Sequence, residues 1–400
     1  MLKSNRLNLD WVGIDMIYFD HAATTPVRVE AFEAMTPWIS DMVGNPNSLH
    51  KAGGMARRVV NSARESVADL IGADHPNDIV FTSGGTESDN FAILGMIPYL
   101  ISKQKCIVVS SIEHHAILNQ VSRAEEIGVP VIKAPVLQSG VVDLAWLETI
   151  LKESNVGLVS IMTANNETGV KQPIKQISKL CHQNGAFFHS DAVQAVGHMC
   201  VDVDELGVDM LSLSGHKFGA CGGVGALYLT KYIRDVISPI ILGGGQEYGL
   251  RSGTENVAGI ASIGAAAANV LQNIGKEISL YHELSSKFVN HLMVYGCEFD
   301  VNFRGQDRVE NILSLRFPGV VAELLVRMCD NSGLCISAAS ACSSGSSSPS
   351  HVLKACGLSD DAAQSTVRIS FGHTSTLDDA ALGSAILFSN VRKIRDMIRK

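Results

Sequence analysis

The strongly apolar segments of this chain mostly lack a polar residue at alternate positions. Cys106 to Ser110, Val156 to Met162, Ala186 to His189, Met210 to Leu213 and Gly223 to Leu229 read largely as unbroken apolar runs. A strand with one face in water alternates between apolar and polar residues. A continuous run is buried on both faces, as in a mostly parallel sheet covered by helices. Helical patterns separate the runs. Val59, Val60, Ala63, Val67, Leu70 and Ile71 share one side of a segment from Ala56 to Ile71, which Gly72 stops. Further helices are predicted from near Glu87 to about Leu100, from Leu144 to Lys152 and from Ile174 to Asn184. Strands alternating with helices in this way predict an α/β fold.

A chain of 400 residues exceeds what a single core usually serves, so two domains are expected. The texture changes near Gly275. Beyond it come a helical stretch from Glu277 to Tyr295 and a strand from Asn311 to Phe317 with polar residues interleaved. The expected division is a large domain over 27–274, with 1–26 and 275–400 forming a smaller α+β domain. Ser337 to Ser350 is almost wholly Ser, Ala and Gly around Cys342 and reads as a mobile loop.

Net charge is −8, with no basic run, which argues against direct nucleic-acid binding. Nine cysteines, with no CxxC pair, form neither a disulfide framework nor a metal set, and point to a reducing cytoplasm. Cys106, Cys181, Cys329 and Cys335 read as core residues. The uncharged stretch from Asn256 to Gly275 is rich in Ala, Gly and Ser and contains Asn269, Gln272 and Asn273, which suits a buried helix better than a membrane span.

Lys217 follows the run Met210 to Leu213 in Ser214-Gly215-His216-Lys217, with Gly219, Gly222, Gly223 and Gly225 beyond it. The carboxyl edge of a parallel sheet is where α/β proteins bind ligands, and a partly desolvated amine there can form a Schiff base. Ser214 to Lys217 also matches the SxxK of serine acylases. That motif opens a helix, whereas here a strand precedes it and glycines follow. Ser83-Gly84-Gly85-Thr86-Glu87-Ser88 joins a strand to a helix and can bind a phosphate through helix-start amides and the Thr86 hydroxyl, or serve as a capped turn. Asp191 follows an apolar strand, where a buried carboxylate needs a cation, a salt bridge or a capping role. In Glu113-His114-His115 no spaced ligand set completes a metal site, and one imidazole could stack on a ring or shuttle protons. Cys342, among small residues, is a thiol able to reach a substrate. Arg368, in Thr366-Val367-Arg368-Ile369-Ser370, suits either a substrate carboxylate or a structural ion pair.

Taken in order, these segments resemble the cysteine desulfurases of the NifS/IscS type, which are fold-type I enzymes of pyridoxal 5′-phosphate (PLP) in the class-V aminotransferase family. The resemblance rests on Tyr18-Phe19-Asp20-His21-Ala22-Ala23-Thr24-Thr25-Pro26, Gly44-Asn45-Pro46-Asn47-Ser48-Leu49-His50 and Thr82 to Asn90. It continues through Ala164-Asn165-Asn166-Glu167-Thr168-Gly169, Ser214 to Lys217, Arg251-Ser252-Gly253-Thr254-Glu255-Asn256 and Ser340-Ala341-Cys342. It implies a large domain with a mostly parallel seven-stranded sheet plus a smaller α+β domain. It assigns Lys217 to the Schiff base and proton movement, Asp191 to the pyridine nitrogen and Gln194 to the ring hydroxyl. His114 stacks on the ring. Gly85, Thr86, Ser214 and His216 serve the phosphate, joined by Thr254 of a second subunit in a homodimer. Asn166 and Arg368 hold the carboxylate of L-cysteine. Cys342 takes the sulfur as a persulfide, releases L-alanine and hands the sulfur to an acceptor protein. Iron–sulfur cluster assembly, tRNA thiolation and DNA sulfur modification all draw on enzymes of this type.

The chain departs from that pattern in places. Ala220-Cys221-Gly222-Gly223 stands where Gly-Pro-Lys-Gly is usual, Ser347-Ser348-Pro349 where Leu-Glu-Pro is usual, and His373 where arginine is frequent. Two other readings remain open on the sequence. One is a different PLP lyase or transaminase, such as a selenocysteine lyase, which would not need Cys342. The other is a non-catalytic adaptor of a sulfur-transfer complex.

Overall fold

A computed structural model describes residues 7–9, 14–339 and 349–398. Its centre is a seven-stranded sheet whose spatial order is Ile79–Thr82, Gly225–Leu229, Met210–Ser214, Phe187–Asp191, Val156–Ser160, Cys106–Ser110, Val131–Ala134. All run parallel except Gly225–Leu229, which pairs antiparallel with both its neighbours. The apolar runs therefore have the architecture they predicted. Ile107, Val108, Val109, Leu158, Val159 and Leu211 are sealed from water because helices cover both faces.

The helix Gly85–Lys103 buries Ile93, Met96 and Leu100 against one face beside Leu158 and Leu227. The helices Lys51–Leu70 and Ile174–Gln183 contribute Val60, Val67 and Ile177 to the core on the other side. Lys51–Leu70 begins earlier than the apolar pattern suggested, because His50 caps it: the imidazole Nδ1 accepts from the Gly53 amide at 3.1 Å.

A single helix, Val257–Val294, replaces the two separate helical stretches read from sequence. A glycine within a helix costs only about 1 kcal/mol relative to alanine, and Gly275 has nothing within 4 Å of where its Cβ would stand. The expected division at residue 275 thus falls inside a continuous helix. This helix is long and apolar enough to cross a membrane, yet it packs on Lys51–Leu70, Val29–Ser40 and Leu377–Ile398. The approach is close. A Cβ on Gly264 would lie 2.5 Å from Ala63 Cα, and the buried Glu277 on the same helix pairs with Arg28 at 2.7 Å.

A second core gathers Phe19, Phe288, Phe317 and Phe371. It lies against a four-stranded sheet in the order Asp300–Val301, Ile312–Arg316, Thr366–Ser370, Ser337–Ala338. The N-terminal strand Ile14–Tyr18 pairs with Leu334–Cys335 and so joins this half of the molecule. The expected loop from Ser337 to Ser350 is shorter than its composition suggested. Ser337 and Ala338 pair with Arg368 and Val367, and Ser350 caps the helix His351–Ala355. Residues 340–348, with Cys342, lie outside the described residues. Cys106, Cys181 and Cys329 are buried as expected, but Cys335 is only half-buried at the end of its short strand.

Candidate active site

The loops leaving the carboxyl ends of the parallel strands converge on one cavity of about 710 Å3. Its walls carry Lys217, His114, Gly85, Thr86, Asp191, Gln194, Ser214, His216, Asn166 and Arg368. The sequence predicted every one of these as a site residue.

Lys217 closes a 3-10 turn, Gly215–Lys217, directly after the strand Met210–Ser214. The turn needs its glycine, since a Cβ on Gly215 would lie 2.9 Å from Ala220 Cβ. Lys217 Nζ donates to the carbonyls of Ala22 and Ala23, both at 2.7 Å, so the N-terminal segment lies across the lysine. His216 is tied to the same segment through Nδ1 and Thr24 Oγ1 at 3.0 Å. Burial, then the Lys217 charge, lower the His216 pKa to about 4, so the imidazole is neutral.

At one end of the cavity the helix Gly85–Lys103 begins. Gly85 and Thr86 lie in its first turn, where backbone amides have no acceptor within the helix and attract an anion. The cradle is tight. A Cβ on Gly85 would lie 2.6 Å from Val193 Cγ2, and one on Gly225 would lie 2.6 Å from Gly84 Cα. Thr86 is therefore a first-turn residue and not the cap. The carboxylate that closes the turn belongs to Glu87, which accepts from the Ser83 amide at 2.8 Å and pairs with Arg251 at 2.8 Å.

Another wall is acidic. Asp191 ends the strand Phe187–Asp191 and accepts from the Val193 amide at 2.9 Å. Burial raises its pKa to about 6, against the opposing pull of that amide and of the Lys217 charge. Gln194 Nε2 donates to the Ala22 carbonyl at 2.8 Å, and its Oε1 has no hydrogen-bond partner among the described residues. His114 caps the helix His115–Glu126, its Nδ1 accepting from the Ala116 amide at 3.1 Å. An accepting Nδ1 puts the proton of the neutral ring on Nε2. Burial, with Lys217 and His115, lowers its pKa to about 4.

Arg368, buried in the strand Thr366–Ser370, donates from Nη1 to the Asn166 carbonyl at 2.9 Å and from Nη2 to Asp20 Oδ1 at 2.7 Å. The ion-pair reading of this arginine holds, and the residue also lines the cavity. Asn166 projects from a turn organised by its neighbour Asn165, whose Oδ1 accepts from the Glu167 and Thr168 amides at 2.9 and 3.0 Å.

Thr254 is not brought to this cavity. It is exposed and lines a separate hollow of about 260 Å3 with Arg251 and Glu255. Two buried acids escaped the sequence reading. Asp89 lines the cavity, and Glu113 stands just before His114. For Asp89 a signal existed, because it shares a helical face with the apolar Ile93 and Met96. For Glu113, in a turn, no periodicity could have found it.

The cavity suits a flat ring with an anion at the Gly85–Thr86 end and a basic nitrogen facing Asp191, with the unpartnered Gln194 Oε1 at its side. Residues 17–382 match the aminotransferase class-V family. A cysteine desulfurase IscS of Dictyoglomus turgidum is 41% identical over 379 residues, covering 95% of each chain. A solved NifS-like protein superposes with a TM-score of 0.85 at 34% identity, covering 96% of this chain and 99% of its own. A structure titled SspA in complex with cysteine gives 0.78 at 34% identity, covering 88% and 98%.

Proposed function

This chain belongs to the class-V aminotransferase family and is a cysteine desulfurase of the NifS/IscS type, and from that premise we propose how its residues divide the work. The observation that carries the proposal is that Lys217, Asp191 and the Gly85–Thr86 helix start line one cavity. PLP fits there and supplies an electron sink at the substrate carbon. Gly85, Thr86, Ser214 and His216 take the phosphate, and Gln194 takes the ring hydroxyl. Asp191, raised by burial to about 6, holds a proton on the ring nitrogen. Lys217 holds the cofactor through Nζ and moves a proton at the substrate α-carbon. His114 covers the ring and offers the Nε2 proton. Arg368 and Asn166 fix the carboxylate of L-cysteine. Cys342 takes the sulfur as a persulfide, leaving L-alanine, and passes it to an acceptor protein.

Thr254 serves the phosphate of a second copy in a homodimer. Supporting this, Thr254 is exposed outside its own chain's cavity, and the helix Val29–Ser40 leaves Val29, Phe32 and Ile39 uncovered. We further propose a cytoplasmic enzyme whose second core, with residues 1–26 and 275–400, forms the smaller domain.

The wild type should be yellow, and Lys217→Ala should lose the visible band. Cys342→Ser should lose persulfide formation from cysteine. If it makes alanine and persulfide at the wild-type rate with a thiol acceptor present, the role of Cys342 is refuted. A fully active monomer would remove the role given to Thr254.

A further inference from the structure

Asp191 is not alone at its end of the cavity. Asp89, from the first turns of the helix Gly85–Lys103, lines the same cavity, is 1% exposed, and among the described residues has no hydrogen-bond partner at Oδ1. The nearest imidazole, His189 on the Asp191 strand, has Nε2 3.8 Å from Asp89 Oδ1. It supplies no charge. Its Nδ1 meets Ser160 Oγ at 2.8 Å, its Nε2 meets Ser212 Oγ at 3.0 Å, and burial lowers its pKa to about 3. From the strand Cys106–Ser110 side comes a third acid, Glu113. Its Oε1 accepts from Ser110 Oγ and, at 3.0 Å, from the Met162 amide, while Oε2 has no hydrogen-bond partner among the described residues. The Lys217 charge lowers Asp191.

Three buried acids whose charges disfavour one another cannot all be ionised at once. Burial, then the Asp191 charge, raise Asp89 well above the usual carboxylate range against the pull of a Ser212 hydrogen bond, and burial raises Glu113 to about 8. At neutral pH Asp191 thus carries the charge and Asp89 the proton.

Resting on the cofactor reading above, we propose that Asp89 is a proton-linked positioning residue of this pocket, which ionises when a cationic ring nitrogen docks against Asp191. The reason is electrostatic. A ring N–H+ opposite Asp191 cancels the negative charge that helps keep Asp89 neutral. The Asp89 O–H bond then breaks, its electron pair stays on the oxygen, and the proton leaves to buffer. No electron is gained or lost. The second carboxylate then strengthens the hold on the ring proton, and cofactor affinity rises with pH. Linkage of one proton sets the limit at roughly tenfold in Kd per pH unit.

The test uses the full chain stripped of cofactor and pyridoxamine phosphate as ligand, which binds without a bond to Lys217. Wild type and Asp89→Asn are titrated calorimetrically in buffers of different ionisation enthalpy across neutral pH. The wild type should release roughly half to one proton more than the variant, and its Kd should fall more steeply with rising pH. Infrared difference spectra of the wild type alone provide a check independent of any variant. The carbonyl band of a protonated carboxylic acid should bleach on loading. Equal proton counts in the two proteins, or a difference spectrum without that bleach, overturn the role of Asp89 while leaving the cofactor reading intact. Absence of binding by the wild type overturns both.

Discussion

Replacing Arg368 by lysine keeps a cation in the strand Thr366–Ser370 but removes the planar fork. In the wild type, Nη1 is engaged with the Asn166 carbonyl and Nη2 with Asp20 Oδ1, at 2.9 and 2.7 Å, and Nε has no hydrogen-bond partner among the described residues. The remaining hydrogens are those a substrate carboxylate can use. An ammonium has three donors; two would keep the structural partners and one would remain for substrate. The variant therefore loses one charge-assisted hydrogen bond, about 1.5–3 kcal/mol, which is roughly 10- to 150-fold in kcat/KM. The loss should fall on KM, because the carboxylate is bound alike before and during C–S cleavage. Alanine formation is measured against cysteine concentration, with the visible band confirming equal cofactor content. A kcat/KM within about twofold of wild type would refute the assignment of Arg368 to the substrate. So would a loss confined to kcat.

Further outcomes follow from packing and burial. Arg64→Met strands Glu247, 7% exposed and paired with Arg64 at 2.6 Å; denaturant titration should show a loss of about 3–5 kcal/mol. Glu113 is a neutral buried acid, raised from 4.5 to about 8, so the stability it confers is complete below pH 4.5 and is lost as pH rises through about 8. The unfolding midpoint of Glu113→Gln should consequently fall less than that of the wild type over this range. Glu167, raised to about 7, adds a similar decline in both proteins. Gly225→Ala drives a methyl against the Gly84 backbone, an overpacking cost of about 1–3 kcal/mol, and should speed cofactor release; Gly222→Ala, which meets nothing within 4 Å, should not.

Much of the fold was legible because each strand of the central sheet is buried by its own composition. The run Cys106–Ser110 was read to the residue, and Met210–Ser214 to within one position. Helix limits were less legible where caps are unusual, as with the imidazole of His50. The two helical stretches read on either side of Gly275 are one helix, because an exposed glycine does not end a helix that is packed on both sides of it. The Ser337–Ala338 strand was invisible for the converse reason. Two small residues have no strand preference of their own, and their pairing with Val367 and Arg368 decides their conformation.

The residues of the candidate site divide in the same way. Local chemistry marked Lys217, the Gly84–Thr86 turn and Asp191, since a lysine after an apolar strand, paired glycines before a helix and a carboxylate at a strand end are each unusual where they stand. Sequence by itself thus determined the sheet, the ligand-binding edge and the inventory of reactive groups. Tertiary structure alone decided which of those groups share one cavity, that Arg368 pairs with Asp20 while lining the cavity, and that Thr254 lines a neighbouring hollow instead. It also decided charge. Asp89, Asp191 and Glu113 are the same functional group in sequence, and only their common burial, opposed by the hydrogen bonds each accepts, raises their pKa values to different degrees.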